Sequence, residues 1–177
     1  MTERKLYKSR IKNNYAFIDA QNLYLAIEEL GWKLDYKKFR VYLKEKYGVE
    51  KAYMFMGFLP TNQELYSFLQ TVGFIIVFKP VLIGEDIIKG NCDAELVLQA
   101  MIDFKEYDNA LIITGDGDFY CLVKYLDNSG KLLRVLAPAP HSCSSLLTKI
   151  TGKKIAFVSD LRQKIEYKKK HKKKRTP

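Results

Sequence analysis

At 177 residues, 47% hydrophobic and 13% aromatic, the chain is long enough for one domain with its own core and too apolar to stay disordered. No apolar run approaches the ~20 residues of a membrane helix, and the basic N-terminus lacks the apolar stretch of a secretory signal. Its net charge of +10 sits in two arms, Arg4, Lys5, Lys8, Arg10 and Lys12 at the start and Lys168–Arg175 at the end, with a nearly neutral body between them. Basic arms suit attraction to a polyanion, nucleic acid or an anionic membrane surface; a solubilising tail is the alternative. Cys92, Cys121 and Cys143 are odd in number and widely spaced, which makes neither a zinc pattern nor a disulfide framework and suits a reducing cytoplasm.

Residues 1–14 read as a basic arm, 15–165 as one domain and 166–177 as a basic tail. Tyr15–Asp19 is an apolar run closed by an aspartate and reads as the first strand. A helix over Leu23–Leu30 follows, stopped by Gly31. Asp35 caps a helix over Tyr36–Tyr47, with Phe39, Tyr42, Leu43 and Tyr47 on one face and Gly48 as its stop. Lys51–Phe58 is a second strand. Thr61 and Glu64 have the spacing of a capping box for a helix to Val72, ended by Gly73. Phe74–Lys79 reads as the clearest buried strand, and Pro80–Gly90 as a loop. A helix over Cys92–Lys105 presents Val97, Ala100, Met101 and Phe104 as one apolar face. Asp93, four residues before Val97, tops that face and should point inward; Glu95 and Asp103 lie off it and should be solvated.

Ala110–Thr114 is a buried strand that runs straight into Gly-Asp-Gly-Asp, and a helix follows to about Ser129. The two glycines, Gly115 and Gly117, suit a tight turn. Leu132–Ala137 is a further strand, broken by Pro138-Ala-Pro140. Ser144–Ile150 is a short helix, Ile155–Val158 an edge strand, and Ser159 caps a last helix that runs into the lysines.

Strands alternating with helices imply a parallel sheet covered on both faces and joined by right-handed crossovers. Every strand-to-helix junction then lies along one edge, where open α/β sheets hold their ligands. Asp19, Asp93, Asp116 and Asp118 all fall at such junctions. Four carboxylates distant in sequence are expected to meet in space.

Gathered carboxylates repel and raise one another's pKa, a penalty that a divalent cation removes. Mg²⁺ and Mn²⁺ favour carboxylate oxygens, can activate a water and steady the charge developing on a phosphate. Phosphodiester hydrolysis fits such a site, and no histidine or cysteine stands out as a nucleophile. Structural readings stand beside these. Asp93 also suits a helix N-cap, and Asp116 and Asp118 suit turn positions. Two aspartates are more than a turn requires, and aspartate is disfavoured in a strand such as that of Asp19. Asn22 would orient Asp19, touch substrate or cap a helix. His141 with Cys143 is too small a set for zinc, and His171 belongs to the tail.

Three segments resemble the NYN domain family of PIN-like ribonuclease relatives. They are Phe17-Ile-Asp-Ala-Gln-Asn-Leu-Tyr24, Lys89-Gly-Asn-Cys-Asp-Ala-Glu-Leu96 and Ile113-Thr-Gly-Asp-Gly-Asp-Phe119. They occur in the family's order and span most of 15–165; the third is the most specific. The resemblance implies a PIN-like three-layer α/β/α sandwich around a central, mainly parallel sheet, and a metal-dependent nuclease acting on RNA. By position, Asp19, Asp93, Asp116 and Asp118 would form the Mg²⁺- or Mn²⁺-binding acidic set. Asn22, Thr114 and Lys89 would stand at the substrate, with Lys89 at the mouth to hold a phosphate. Ala20-Gln21 departs from the glycine and asparagine more usual after the first aspartate, which affects the turn and not the carboxylate.

The expectation is therefore a cytoplasmic ribonuclease, recruited to RNA by its basic arms and possible as a homodimer. A non-catalytic RNA-binding module on the same fold is the second reading. A phosphatase of the haloacid dehalogenase type is the third. It is weakened because Asp19 is followed by Ala20 and Gln21, without the second aspartate of that family's Asp-x-Asp motif.

Overall fold

In the computed structural model, residues 13–79, 82–83, 88–89 and 92–169 are described. Residues 1–12 and 170–177, most of the two basic arms read as 1–14 and 166–177, fall outside these residues. Six parallel strands form one sheet: β1 (Asn14–Asp19), β2 (Val49–Gly57), β3 (Ile75–Lys79), β6 (Ala110–Ile113), β7 (Leu132–Ala137) and β8 (Ile155–Phe157). They lie in the order β3-β2-β1-β6-β7-β8. The chain thus builds outward from β1 in one direction, then returns to β1's other flank and builds outward again. The order reverses between β1 and β6, and their carboxyl ends form the crevice where such sheets take ligands.

Side-chain alternation along the strands feeds two cores. Ala16 and Ile18 of β1, with Leu111 and Ile113 of β6, face one side. There they meet Leu23 and Ile27 of α1 (Ala20–Glu29), Phe39 and Leu43 of α2 (Tyr36–Tyr47), and Leu69 of α3 (Gln63–Val72). Tyr15, Phe17, Ala110 and Ile112 face the other side. They pack on Leu96 and Ala100 of α4 (Asp93–Ile102), Leu122, Val123 and Leu126 of α5 (Tyr120–Asn128), and Leu147 of α6 (Ser145–Thr151). The result is the expected three-layer α/β/α sandwich. All four residues of β6 are fully buried, which identifies it as the centre of the sheet. A last short helix, α7 (Arg162–Ile165), closes the first layer, and Glu166 bridges back to Leu34.

Several local expectations are corrected. The run Phe74–Lys79, read as the clearest buried strand, supplies the sheet edge, and Ile75 and Phe78 are 42% and 37% exposed. An apolar composition does not report a strand's place in the sheet, and β3 has a neighbouring strand on one side alone. Pro80–Gly90 is not wholly loop: β4 (Leu82–Ile83) pairs antiparallel with β5 (Ile88–Lys89). Thr61 caps nothing; Pro60–Asn62 forms a 3-10 turn, and Asn62 precedes α3 without a side-chain cap bond. Proline at the head of that turn sets the chain's entry and displaces the capping box. In α4 the residues turned inward are Leu96 and Ala100, while Met101 is 37% exposed. Asp93 lies three residues before Leu96, so it still tops the buried stripe, by a slightly rotated face.

Candidate metal centre

Asp19 ends β1 and caps α1: one carboxylate oxygen accepts the backbone N–H of Asn22 at 3.1 Å. Its other oxygen accepts from the Thr114 hydroxyl, also at 3.1 Å. That hydroxyl in turn accepts the backbone N–H of Asp116 at 3.1 Å. Asp116 caps the 3-10 turn Gly117–Phe119 by accepting the Asp118 N–H at 3.0 Å. The Asn22 side-chain oxygen crosses from α1 to accept the Gly115 N–H at 2.8 Å. One chain of hydrogen bonds therefore ties the carboxyl ends of β1 and β6 together across the reversal point.

On this frame, one carboxylate oxygen from each of Asp93, Asp116 and Asp118 lies within 4.8 Å of the others. Asp93 and Asp116 are half-buried and Asp118 is exposed. Asp19 stands beside this trio. Burial raises its pKa from the ordinary carboxylate value, against the two hydrogen bonds it accepts, and the charges of Asp93 and Asp116 raise it further. The donors are all carboxylate oxygens, a hard set that fits Mg²⁺ or Mn²⁺ and not a softer ion.

Beside the trio is an open cleft of about 580 Å³, walled by Asn22, Asp116, Asp118 and the loop His141–Ser144. Its floor needs glycine for closeness and not for backbone freedom. The expected tight turn is present as Gly117–Phe119, but neither Gly115 nor Gly117 has a positive φ. A Cβ on Gly115 would run into the Ser142 carbonyl oxygen, and one on Gly117 would stand 2.5 Å from Ser144 Oγ. The Gly115 carbonyl accepts the Ser144 N–H at 2.8 Å, which holds that loop against the site.

Thr114, expected among the substrate contacts, is fully buried, and its hydroxyl is committed to Asp19 and Asp116. Lys89 lies in β5, opposite Leu82; the expected role of its side chain falls outside what is described. Glu95 is not simply solvated: it meets Lys79 at 3.3 Å, both about one-third exposed. Sequence reading missed Lys79 as a cation near the acidic edge, although its place at the end of β3 was the available signal. Asp103 is 9% exposed and not solvated, and its Oδ2 has no hydrogen-bond partner among the described residues. Burial pushes the Cys92 thiol up to about 11 and raises that of Cys143, so neither offers a ready thiolate. Among the described residues His141 pairs with the exposed Glu29, at 3.9 Å.

Comparison with known proteins adds three findings. The family model for the NYN domain matches residues 15–155. "Low amplitude and bright protein LabA" of Synechococcus elongatus is 27% identical over 122 residues, 62% of this chain. The chain spans 65% of the length of that curated relative. A crystal structure of VPA0982 from Vibrio parahaemolyticus, a protein of unknown function, superposes with a TM-score of 0.73 at 23% identity. That match covers 90% of this chain and 99% of the other, and it shows a shared fold.

Proposed function

The chain belongs to the NYN domain family, and on that premise we propose that it is a metal-dependent ribonuclease. In this reading Asp93, Asp116 and Asp118 hold Mg²⁺ or Mn²⁺, with Asp19 beside them. The observation that carries it is the gathering of three carboxylates from α4 and the β6–α5 junction within 4.8 Å, at the reversal point of the sheet. When bound, a divalent cation there supplies Lewis acidity to activate water and charge to offset a phosphate.

The protein's own part is to prepare the positions. Thr114 braces Asp19 and the Asp116 backbone at once. Asn22 locks the Gly115 N–H, so the loop carrying Asp116 and Asp118 has one registered position against α1. Preset ligands lower the reorganisation needed on binding, which is how a support of this kind contributes to rate. Asp118, the most exposed of the trio, stands where a phosphodiester would approach from the cleft. The basic arms draw RNA to the body through counterion release, in the cytoplasm.

The test is cleavage of labelled single-stranded and hairpin RNA by purified protein with Mn²⁺, Mg²⁺ or EDTA, beside Asp116→Asn. Metal-dependent cutting that vanishes in the variant supports the nuclease and the site together. RNA bound but uncut by both proteins would replace it with the binding-module reading. Cutting that survives the substitution would overturn the assignment of the site.

A further inference from the structure

Two clefts flank the first turns of α1. Asn22 faces the acidic cleft, whereas its neighbour Gln21 lines a second one, with Tyr24 a turn further on. The second cleft has a volume of about 480 Å³ and is walled chiefly by Gln21, Tyr24, Tyr36, Met56, Leu59 and Asn62. It lies along the same edge of the sheet as the carboxylates. Asp19 sits opposite Phe55 in the β1–β2 register, and Met56 and Gly57 carry β2 on into the cleft.

The wall is unusual for its chemistry. Among the described residues no lysine, arginine, aspartate or glutamate lines it, which does not suit a phosphate or a cation. It offers aromatic and aliphatic surface together with carboxamides. The Gln21 and Asn62 amides and the Tyr36 hydroxyl make no hydrogen bond to any described residue. Asn62 stands at the head of α3 without capping it. The Tyr24 ring is 52% exposed and is held in place by its hydroxyl, which donates to Glu28 Oε1 at 2.7 Å. A flat, neutral ligand with a hydrogen-bonding edge matches these walls, and a volume within the range of about 300–1,000 Å³ for small-ligand sites accommodates it.

We propose that this cleft is a nucleobase subsite: an unpaired base next to the phosphate at the carboxylates turns into it, stacks on Tyr24 and presents its polar edge to Gln21 and Asn62. The inference rests on the ribonuclease reading for the phosphate's position and extends it to the substrate class. A base within a duplex is paired and stacked and does not enter such a cleft, so the substrate is single-stranded RNA or an unpaired loop. A stacking platform already pinned by its own hydroxyl loses little freedom when a base arrives.

The test separates the two readings. Asp116→Asn protein, which does not turn over, is titrated with AMP, CMP, GMP, UMP and ribose 5-phosphate while the side-chain amide resonances of Gln21 and Asn62 are followed by NMR. Base-bearing probes should move those resonances and ribose 5-phosphate should not. Tyr24→Ala should weaken the nucleotides about tenfold, while Tyr24→Phe keeps the ring and most of the affinity. Equal shifts with ribose 5-phosphate, or none with any nucleotide, overturn the subsite, even where wild-type protein cuts RNA with metal. Shifts as expected, in a protein that cuts no RNA, leave the subsite standing and remove the ribonuclease reading instead.

Discussion

At the amino-terminal edge of the sheet, the Lys131 ammonium donates to the carbonyls of Phe104 and Tyr107, each at 2.6 Å, and lies 4.8 and 4.9 Å from the centroids of the same two rings. Nearby, Asn14 donates to the Tyr47 carbonyl at 2.7 Å and accepts from Asn109 at 3.0 Å. At the opposite edge the polar groups are carboxylates drawn toward one another, with Asp93, Asp116 and Asp118 around a common point. One edge closes the fold with complementary partners. The other draws carboxylates of like charge toward a common point. Like charges gathered at one point are what a bound cation would offset on the proposed reading, whereas the amino-terminal edge needs none. Asp103 is a partial exception at the amino-terminal edge. Its Oδ2 has no hydrogen-bond partner among the described residues, and burial, with this carboxylate beside it, raises the pKa of the Tyr53 phenol.

The largest break in this comparison should come from Asp116→Asn. Removing one ligand charge is expected to lower metal-dependent RNA cleavage about a thousandfold or more, with a melting temperature that stays close to wild type. A large fall in melting temperature would show that the acidic edge is structural. The converse is Lys131→Met, which leaves two carbonyls without their donor. It should destabilise by about 2–3 kcal/mol in urea unfolding and leave metal affinity unchanged. Gly115→Ala tests the floor of the cleft. Its Cβ meets the Ser142 backbone, so the loop must move, at about 1–3 kcal/mol and with loss of cleavage. Gly117→Ala meets side-chain atoms alone, chiefly Ser144 Oγ and Cβ, which can shift at the cost of that hydroxyl's cap on the Leu146 N–H, and should be milder.

A pH effect sharpens the contrast. The folded-state pKa of Asp19 lies above its ordinary value, so its charged form opposes folding. That penalty is absent below the ordinary carboxylate range and grows as pH rises through it. Asp19→Asn loses one of the two acceptor oxygens at every pH, but its melting temperature relative to metal-free wild type should be higher at neutral pH than at low pH. A difference that is equally large at low pH would assign the effect to something other than charge. The smallest change is expected away from both edges. Lys154→Ala removes a solvent-exposed pair with Asp127 at 2.7 Å and should shift stability by no more than about 0.5 kcal/mol.

The layered α/β architecture was legible because each signal behind it is local. Alternation of apolar strands and amphipathic helices, Asp35 as a cap and Gly48 and Gly73 as stops all act within a few residues, and each appears in the structure. So was the convergence of Asp93, Asp116 and Asp118, since parallel topology puts every strand-to-helix junction on one edge. What misled was any inference that depended on neighbours. Phe74–Lys79 has the composition of an inner strand and forms the edge, because strand order is set by packing between distant segments. Gly115 and Gly117 suggested a turn, which is there, but what excludes a side chain at either is the loop His141–Ser144, more than twenty residues downstream.

By itself, then, the sequence determined the kind of layers, the edge on which the acidic groups stand and the residue types available for chemistry, since those follow from periodicity and from the chirality of the crossovers. Only the tertiary structure decided that Thr114 is a buried brace, that Asn22 and Gln21 line different clefts, and that Glu95 pairs with Lys79. These depend on distances between side chains from separate elements, and such distances exist only once the two cores have packed.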